Sequence, residues 1–233
     1  MTNGQSADKS FAYILGVFLG DGCVYSAQGH PRFNLKVADK DFAEATKEAL
    51  SNLTNYKLKI HFCPQETRQD IYDLVCGDPW VCMKLVEDTE FKTQIPQYVH
   101  KWSKELKKEF IAGLMDSEGF VQESPRLNYP VYLMGFKSCD VWIQDFIRVL
   151  ESVGVKIGKV SQERPRKAHF KIPTRFAIKM RSWYDSGCYF KIKRKQDRVT
   201  RWATGPRTKR RLISETIRLT PKGDDIVRSH VRA

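Results

Sequence analysis

The feature that most constrains the fold of this chain is a segment that occurs twice, with the acids that end the two copies 97 positions apart. Residues 11–22 and 109–119 are each an apolar run that ends in an acid followed by glycine. Within each run, small residues stand four positions apart: Gly16, Gly20, Gly113 and Ser117. This repetition predicts two related units, each of which begins with an apolar helix.

The residues after each repeated helix also follow a common order. Residues 32–37 and 175–181 alternate polar and apolar side chains, which predicts strands with one buried face. Further strands are predicted at 57–62, 71–75, 132–137 and 155–162, and further helices at 41–53, 79–86 and 141–153. Each unit is therefore predicted to be αββαββα, and the fold class to be α+β with antiparallel sheets. The predicted organisation is a first repeat at 1–95, a second repeat at 96–198 and a basic C-terminal extension at 199–233.

The positive charge of the chain is concentrated in its second half. The whole sequence has 40 Lys and Arg against 27 Asp and Glu, a net charge of +13. Residues 1–120 hold 14 and 17 of these, a net charge of −3, so residues 121–233 hold 26 and 10, a net charge of +16. The positive charges of this second half repel one another unless an anionic partner screens them. This indicates an anionic binding partner, and nucleic acid is favoured over an anionic membrane surface.

Other classes of protein fit the sequence poorly. The longest apolar run, residues 11–20, is shorter than the roughly 20 residues that cross a bilayer, and no basic amphipathic anchor helix is evident. We therefore expect no membrane partner. The N-terminal residues lack the order of a signal peptide, so a cytoplasmic protein is expected. None of the six cysteines forms a C-x-x-C pair, which argues against structural zinc.

The acids that end the two repeated helices predict a site. The small residues allow the helices to pack closely, which would bring Asp21 and Glu118 together. Two neighbouring carboxylates repel unless a cation lies between them, and oxygen ligands favour a hard ion such as Mg²⁺. The alternative for one copy alone is a core helix with a solvent-exposed terminal acid. Two matched copies in a basic protein favour the metal site.

The two segments are similar to a known motif. ILGVFLGDG at 14–22 and IAGLMDSEG at 111–119 resemble the nine-residue LAGLIDADG motif. Residues 10–198 as a whole resemble a single-chain, two-repeat LAGLIDADG homing endonuclease of the kind encoded in archaeal introns. The resemblance implies two pseudo-symmetric repeats that form a saddle of antiparallel sheets over double-stranded DNA. It also implies a monomer that cuts both strands of a long asymmetric target and leaves 3′ overhangs.

The resemblance further implies roles for single residues. The metal-binding acids of the family correspond to Asp21 and Glu118, with Mg²⁺ as the cofactor, Mn²⁺ as an alternative and Ca²⁺ as a non-catalytic substitute. The carbonyl groups of Gly20 and Ser117 face the metal site in similar enzymes. Glu in place of Asp at position 118 retains a ligand but would make the two strand cuts unequal in rate.

Basic residues are also expected near the reacting phosphates. The family places one lysine in each half, which implies Lys92 and Lys193, with Lys191 as a rival in the second half. A glutamine that organises solvent in similar enzymes is replaced by Asp39, and Lys40 is expected to assist. The alternative for each lysine is an ordinary phosphate contact or a surface charge.

The polar faces of the strands are the predicted base readers, because a two-stranded ribbon fits the major groove. A solvated strand face is the alternative for any single member of the set. The predicted DNA-binding residues are Arg32, Asn34, Lys36, Lys57, Lys59, His61, Gln122, Lys156, Lys159, Arg175, Lys179 and Arg181.

Two other functions stay open at this point. A protein of the same fold can act as a splicing maturase, which would bind intron RNA and could also retain nuclease activity. A DNA-binding regulator with a vestigial nuclease core is the third alternative, although such a protein would usually have lost the two acids.

Overall fold

The first unit has the predicted αββαββα order. The computed structural model describes residues 3–65, 69–124, 131–162 and 173–204. The elements of the first unit are α1 (Asn3–Leu19), β1 (Cys23–Ala27), β2 (His30–Val37), α2 (Lys40–Ser51), β3 (Ile60–Cys63), β4 (Ile71–Cys76) and α3 (Pro79–Asp88).

The second unit repeats this order after a short connecting helix, α4 (Gln97–Lys101). A last helix follows the repeat. The elements are α5 (Lys104–Ser117), β5 (Gly119–Ser124), β6 (Val131–Ser138), α6 (Ile143–Ser152), β7 (Ile157–Gln162), β8 (Thr174–Ile178), α7 (Met180–Ser186) and α8 (Lys193–Thr204).

Each unit contains one four-stranded antiparallel sheet, and the two sheets have the same topology. The strand order is β1-β2-β4-β3 in the first sheet and β5-β6-β8-β7 in the second. The repeated topology and the element order confirm the predicted α+β class with two αββαββα repeats.

The two repeated helices, α1 and α5, form the contact between the units, and their small residues are the reason. A Cβ atom built on Gly16 would lie 2.3 Å from the carbonyl oxygen of Phe110, and one built on Gly113 would lie 2.2 Å from that of Tyr13. Both distances are too short for any side chain. The predicted close packing along the small-residue stripe is therefore present, and each backbone fits where the other lacks a side chain.

Several predicted base readers do not lie on strands. Strand β8 ends at Ile178, and the chain then enters α7, so Lys179 is the N-cap of that helix and Arg181 forms an ion pair with Asp185 on it. The prediction of a strand that continues to Arg181 was wrong. The buried residues Met180 and Trp183 are three positions apart, which is a helical spacing, and the alternation typical of a strand ends before them.

The start of two other predicted strands is also corrected. Lys57 and Lys59 precede β3, which begins at Ile60, and Lys156 precedes β7, which begins at Ile157. Short apolar alternation does not define strand ends to within two or three residues, because pairing with the neighbouring strand decides where the ladder begins.

Helix α8 continues across the boundary predicted at residue 198, and residues 205–233 of the predicted extension lie outside the described residues. Among the residues that the structure describes, no helix is long and apolar enough to cross a membrane.

Candidate active site

The C-terminal ends of α1 and α5 meet at the contact between the units. A Cβ atom built on Gly20 would lie 2.3 Å from the Cβ atom of Ser117 and 3.5 Å from Cγ of Glu118. Asp21 follows directly after Gly20, and Glu118 is the C-cap of α5. The two acids that the sequence singles out are thus held side by side by the close contact of the two helix ends.

The environment of these acids opposes their ionisation. Burial raises the pKa of Glu118 to about 7, and the negative charges of Asp21 and Asp140 add to this shift. Asp21 is exposed at the cleft surface, yet the protein around its carboxyl group also raises its pKa, against the opposing charges of Lys195 and Lys92. A site with carboxylates in this state is suited to a cation, which would stabilise both of them in the charged form.

Lys92 lies at this site and binds the backbone of the two residues that flank Asp21. Its ammonium group donates hydrogen bonds to the carbonyl oxygens of Gly20 at 2.6 Å and Gly22 at 3.0 Å. The loop that presents it has three consecutive residues with positive φ, Glu90, Phe91 and Lys92. Such strain in residues other than glycine persists only where the surrounding contacts impose it, and here the two carbonyl contacts hold Lys92 in place.

A second lysine at the site, Lys195, was missed by the sequence reasoning. Its side chain is 4 % exposed, and its ammonium group donates to the carbonyl oxygens of Met115 at 2.9 Å and Asp116 at 2.6 Å. Burial lowers its pKa to about 8, although the negative charge of Asp116 opposes this shift. The spacing of the sequence could have indicated this lysine. Ile192, Lys195 and Val199 recur at helical intervals and form one buried stripe, so a lysine lies among apolar positions.

The two lysines predicted for this position lie elsewhere. The side chain of Lys193 is exposed at the start of α8, where its backbone N–H donates to the carboxylate of Asp41. Lys191 lies 3.9 Å above the ring of Tyr13 and forms an ion pair with Glu109 at 3.4 Å. It therefore points along α1 and α5 rather than towards their C-terminal ends.

Asp39 is tied to the second unit. Arg194 donates to its two carboxylate oxygens at 2.6 and 2.7 Å, and this bidentate pair holds the pKa of Asp39 below its usual range. Lys40, the next residue, pairs instead with Glu44 at 3.4 Å on the exposed side of α2. The sequence therefore placed Asp39 near the site, but its engagement with Arg194 was not foreseen.

Asp116 is a buried acid that anchors α8 and was also missed. It is 2 % exposed and accepts hydrogen bonds from the Tyr13 hydroxyl at 3.0 Å and from the backbone N–H groups of Lys191 and Ile192 at 3.1 and 3.3 Å. Burial raises its pKa to about 6. Leu19 occupies the same motif position in the first repeat, so the two repeats differ here. The hydrogen bonds from Lys191 and Ile192 to Asp116 fix the segment that carries Lys195.

The donor set fits a hard divalent ion in type. Asp21 and Glu118 offer carboxylate oxygens, and backbone carbonyls lie beside them, although that of Gly20 already accepts from Lys92. Over the described ranges, no three His, Cys, Asp or Glu residues converge into a group that could hold a metal ion on their own. Two carboxylates supplemented by water and substrate oxygens match the way in which Mg²⁺ is usually bound.

An open cleft of about 440 Å³ lies beside Asp21. Residues from both units line it: Lys36 and Asp39 from the first, and Gln122, Arg194, Lys195 and Arg198 from the second. Among all the residues that line the cleft, four are basic and three, Asp21, Asp39 and Asp116, are acidic, so the cleft has a small excess of positive charge for a phosphate-bearing ligand.

The remaining predicted base readers lie on the strands but differ in accessibility. Asn34 is only 8 % exposed, and its amide group donates to Asp73 and to the carbonyl of Leu74, so it is unsuited to reading a base. Lys36 pairs with Asp73 at 3.6 Å, and Arg175 lies 4.9 Å above the ring of Phe120. The accessible strand positions are Arg32, Lys36, His61, Gln122, Lys159 and Arg175.

Comparison with known proteins agrees with the motif and the fold. A family model described as a LAGLIDADG-like domain matches residues 8–78. The second repeat carries the same motif in the same element order.

The first unit thus matches a LAGLIDADG-like domain. An uncharacterized protein of Methanocaldococcus jannaschii, MJ0398, is 26 % identical over 135 residues, which are 56 % of this chain and 47 % of that protein. The chain thus spans about half the length of this relative.

Solved structures of homing endonucleases share the fold. The homing endonuclease I-DmoI in complex with DNA and Mn gives a TM-score of 0.51 at 17 % identity, and the match covers 77 % of this chain and 94 % of that one. The homing endonuclease I-WcaI bound to its DNA recognition sequence gives 0.55 at 10 % identity, covering 81 % and 86 %. At these identities the likeness shows the fold alone.

Proposed function

We propose that this chain is a site-specific DNA endonuclease that hydrolyses one phosphodiester bond in each strand of a long asymmetric duplex target. It acts as a monomer with Mg²⁺ or Mn²⁺ and leaves 3′ overhangs. The observation that carries the proposal is the pair of acids, Asp21 and Glu118, held side by side at the helix ends with Lys92 and Lys195 beside them. DNA and Mn in the complex of the structural relative I-DmoI support the same assignment.

The chemistry divides between the acids and the lysines. When bound, a divalent ion lowers the pKa of a coordinated water and stabilises the leaving oxygen of a phosphodiester. Asp21 and Glu118 would hold that ion through their carboxylate oxygens. The attacking water loses a proton as its oxygen forms a bond to phosphorus, the bond from phosphorus to the leaving oxygen breaks, and the leaving oxygen takes up a proton, so no net proton is consumed.

The lysines stabilise the extra negative charge on the phosphate. Each ammonium group has three N–H donors. Lys92 uses two on Gly20 and Gly22, and Lys195 uses two on Met115 and Asp116. One donor of each remains for a phosphate oxygen, and the carbonyl contacts hold the charge in place before the substrate arrives.

The sheets supply the sequence recognition. Accessible side chains such as Arg32 and Lys36 on the first sheet, and Gln122 and Arg175 on the second, are of the types that read base edges in the major groove. Because the two sets differ, the two halves of the target differ in sequence.

A cleavage assay tests the proposal. The chain is incubated with a library of randomised duplexes, with Mg²⁺ or with EDTA, and the cut products are sequenced. We expect one long asymmetric sequence to be enriched with Mg²⁺ only. Replacing Asp21 and Glu118 together by alanine is expected to abolish cutting, whereas Asp145→Asn, on the exposed side of α6, should leave it intact. Full cleavage by the double variant would contradict the mechanism.

A further inference from the structure

The site has two sides that differ in charge. The Asp21 side consists of Asp21, Asp39 and Arg194, and the Glu118 side consists of Glu118 and Asp140, whereas Lys92 and Lys195 each act on both Asp21 and Glu118. With every group ionised, and with the two shared lysines left aside, the Asp21 side carries two negative charges and one positive charge, and the Glu118 side carries two negative charges. The sequence patterns singled out Asp39 but not Asp140.

Strand register places Asp39 and Asp140 at equivalent positions. In the second sheet, Gly119 pairs with Phe136, so β6 continues past this pair alongside Glu118 and ends at Ser138. Asp140 follows two residues after that end. In the first sheet, β2 likewise ends at Val37, and Asp39 follows two residues later. Each unit therefore presents an acid from the same connection between its second strand and the next helix.

The two acids differ in what binds them. Both oxygens of Asp39 are engaged by the guanidinium group of Arg194, at 2.6 and 2.7 Å. Asp140 accepts a hydrogen bond from the hydroxyl group of Ser138 through one oxygen. Within the described parts of the chain, no lysine or arginine forms an ion pair with Asp140. Among the described residues, Asp39 thus has an arginine that neutralises it, and Asp140 has no such ion-pair partner.

The charge of Asp140 acts on Lys92 and on Glu118. Burial lowers the pKa of Lys92, and the charge of Asp140 is the largest of the charges that oppose this shift. Asp140 also adds to the raised pKa of Glu118, after burial and Asp21. These influences agree with the position that the strand register gives it.

We infer that the two sides bind a divalent cation unequally: Glu118 and Asp140 together form the stronger site, and Arg194 keeps Asp39 from contributing on the Asp21 side. This inference rests on the proposed function. It makes Arg194 a positioning residue, because it acts through Asp39.

Mn²⁺ binding to the full chain without DNA tests this directly. The free Mn²⁺ signal is followed by electron paramagnetic resonance as Mn²⁺ is titrated into the wild-type chain at pH 8. We expect two classes of site. Asp140→Asn should weaken the tighter class about tenfold, and Asp39→Asn should change neither class by more than twofold.

Arg194 variants complete the test. Arg194→Met frees both oxygens of Asp39 and should tighten the weaker class about tenfold, and the further change Asp39→Asn in the same chain should abolish that gain. Arg194→Lys keeps a positive charge, loses the bidentate contact and should give a smaller gain. Arg148→Met removes an exposed arginine paired with Asp145 on α6 and serves as the matched control.

The outcomes separate this inference from the proposed function. Equal binding by the wild type and Asp140→Asn, or no Mn²⁺ binding by the wild type at all, would overturn the inference whatever the cleavage assay shows. Two unequal classes that respond as expected would support it even for a chain that fails to cut DNA.

Discussion

At the scale of single residues, the charged form of Glu118 lowers the free energy of unfolding, and this loss depends on pH. Its pKa is about 7 in the folded chain against about 4.5 in an ordinary glutamate, mainly because of burial. Between these values the folded state binds more protons than the unfolded state, so the free energy of unfolding falls as pH rises. Glu118→Gln should therefore be more stable than the wild type at pH 8, by about 1 kcal/mol after allowing for solvent screening, and the gain should shrink towards pH 5.

Urea unfolding at several pH values measures this effect. Glu123→Gln, on β5 and paired with Arg201, is a suitable control because it lies outside the acid pair. A gain for Glu118→Gln that stays constant from pH 5 to pH 8 would show that the lost charge is not the cause.

The Tyr13 hydroxyl belongs to the anchor of α8. It donates to Asp116 at 3.0 Å in a fully buried environment, and hydrogen bonds to acids of this kind contribute about 2 kcal/mol. Tyr13→Phe should lower the free energy of unfolding by about that amount. Tyr184→Phe, which removes a hydroxyl from an exposed side chain, should change it by less than about 0.5 kcal/mol. Similar losses for both would argue against a special role of the Asp116 contact.

At the scale of elements, the contact between α1 and α5 depends on the absence of side chains. A methyl group at Gly16 would meet backbone atoms of α5 at 2.3 Å, and backbone atoms cannot rotate away. Gly16→Ala should destabilise the chain by about 3 kcal/mol or more, as overpacking against a rigid partner does.

The chain offers a matched control for this substitution. Gly77 has ordinary φ and nothing within 4 Å of its built Cβ atom, so Gly77→Ala should be neutral or slightly stabilising. Thermal unfolding of both variants, followed by circular dichroism, compares the same chemical change at two sites. Equal melting temperatures would mean that the two helices can move apart without cost.

At the scale of the whole molecule, the uneven charge predicts how binding responds to salt. Residues 205–233 hold eight Lys and Arg against three Asp and Glu. A chain that ends at residue 204, after α8, should bind a duplex with a shallower dependence on salt, with the slope of log K against log salt reduced by roughly 3 to 5. Fluorescence anisotropy between 50 and 300 mM KCl measures both slopes. Equal slopes would show that these charges do not contact phosphates.

The sequence by itself determined the repeat, the order of the helices and strands, and the juxtaposition of Asp21 with Glu118. These features are local: periodic apolar positions define each element, and glycine spaced four apart marks the stripe along which two helices can touch.

Only the tertiary structure decided which basic and acidic side chains complete the site. Lys195 meets the carbonyl of Asp116 across 79 positions, and Arg194 meets Asp39 across 155. No local period encodes such distances, because the direction in which α8 leaves the second unit depends on packing in both units. The sequence also does not distinguish the lysines at 191, 193 and 195 from one another. Only the last of them is turned into the protein interior by the helix.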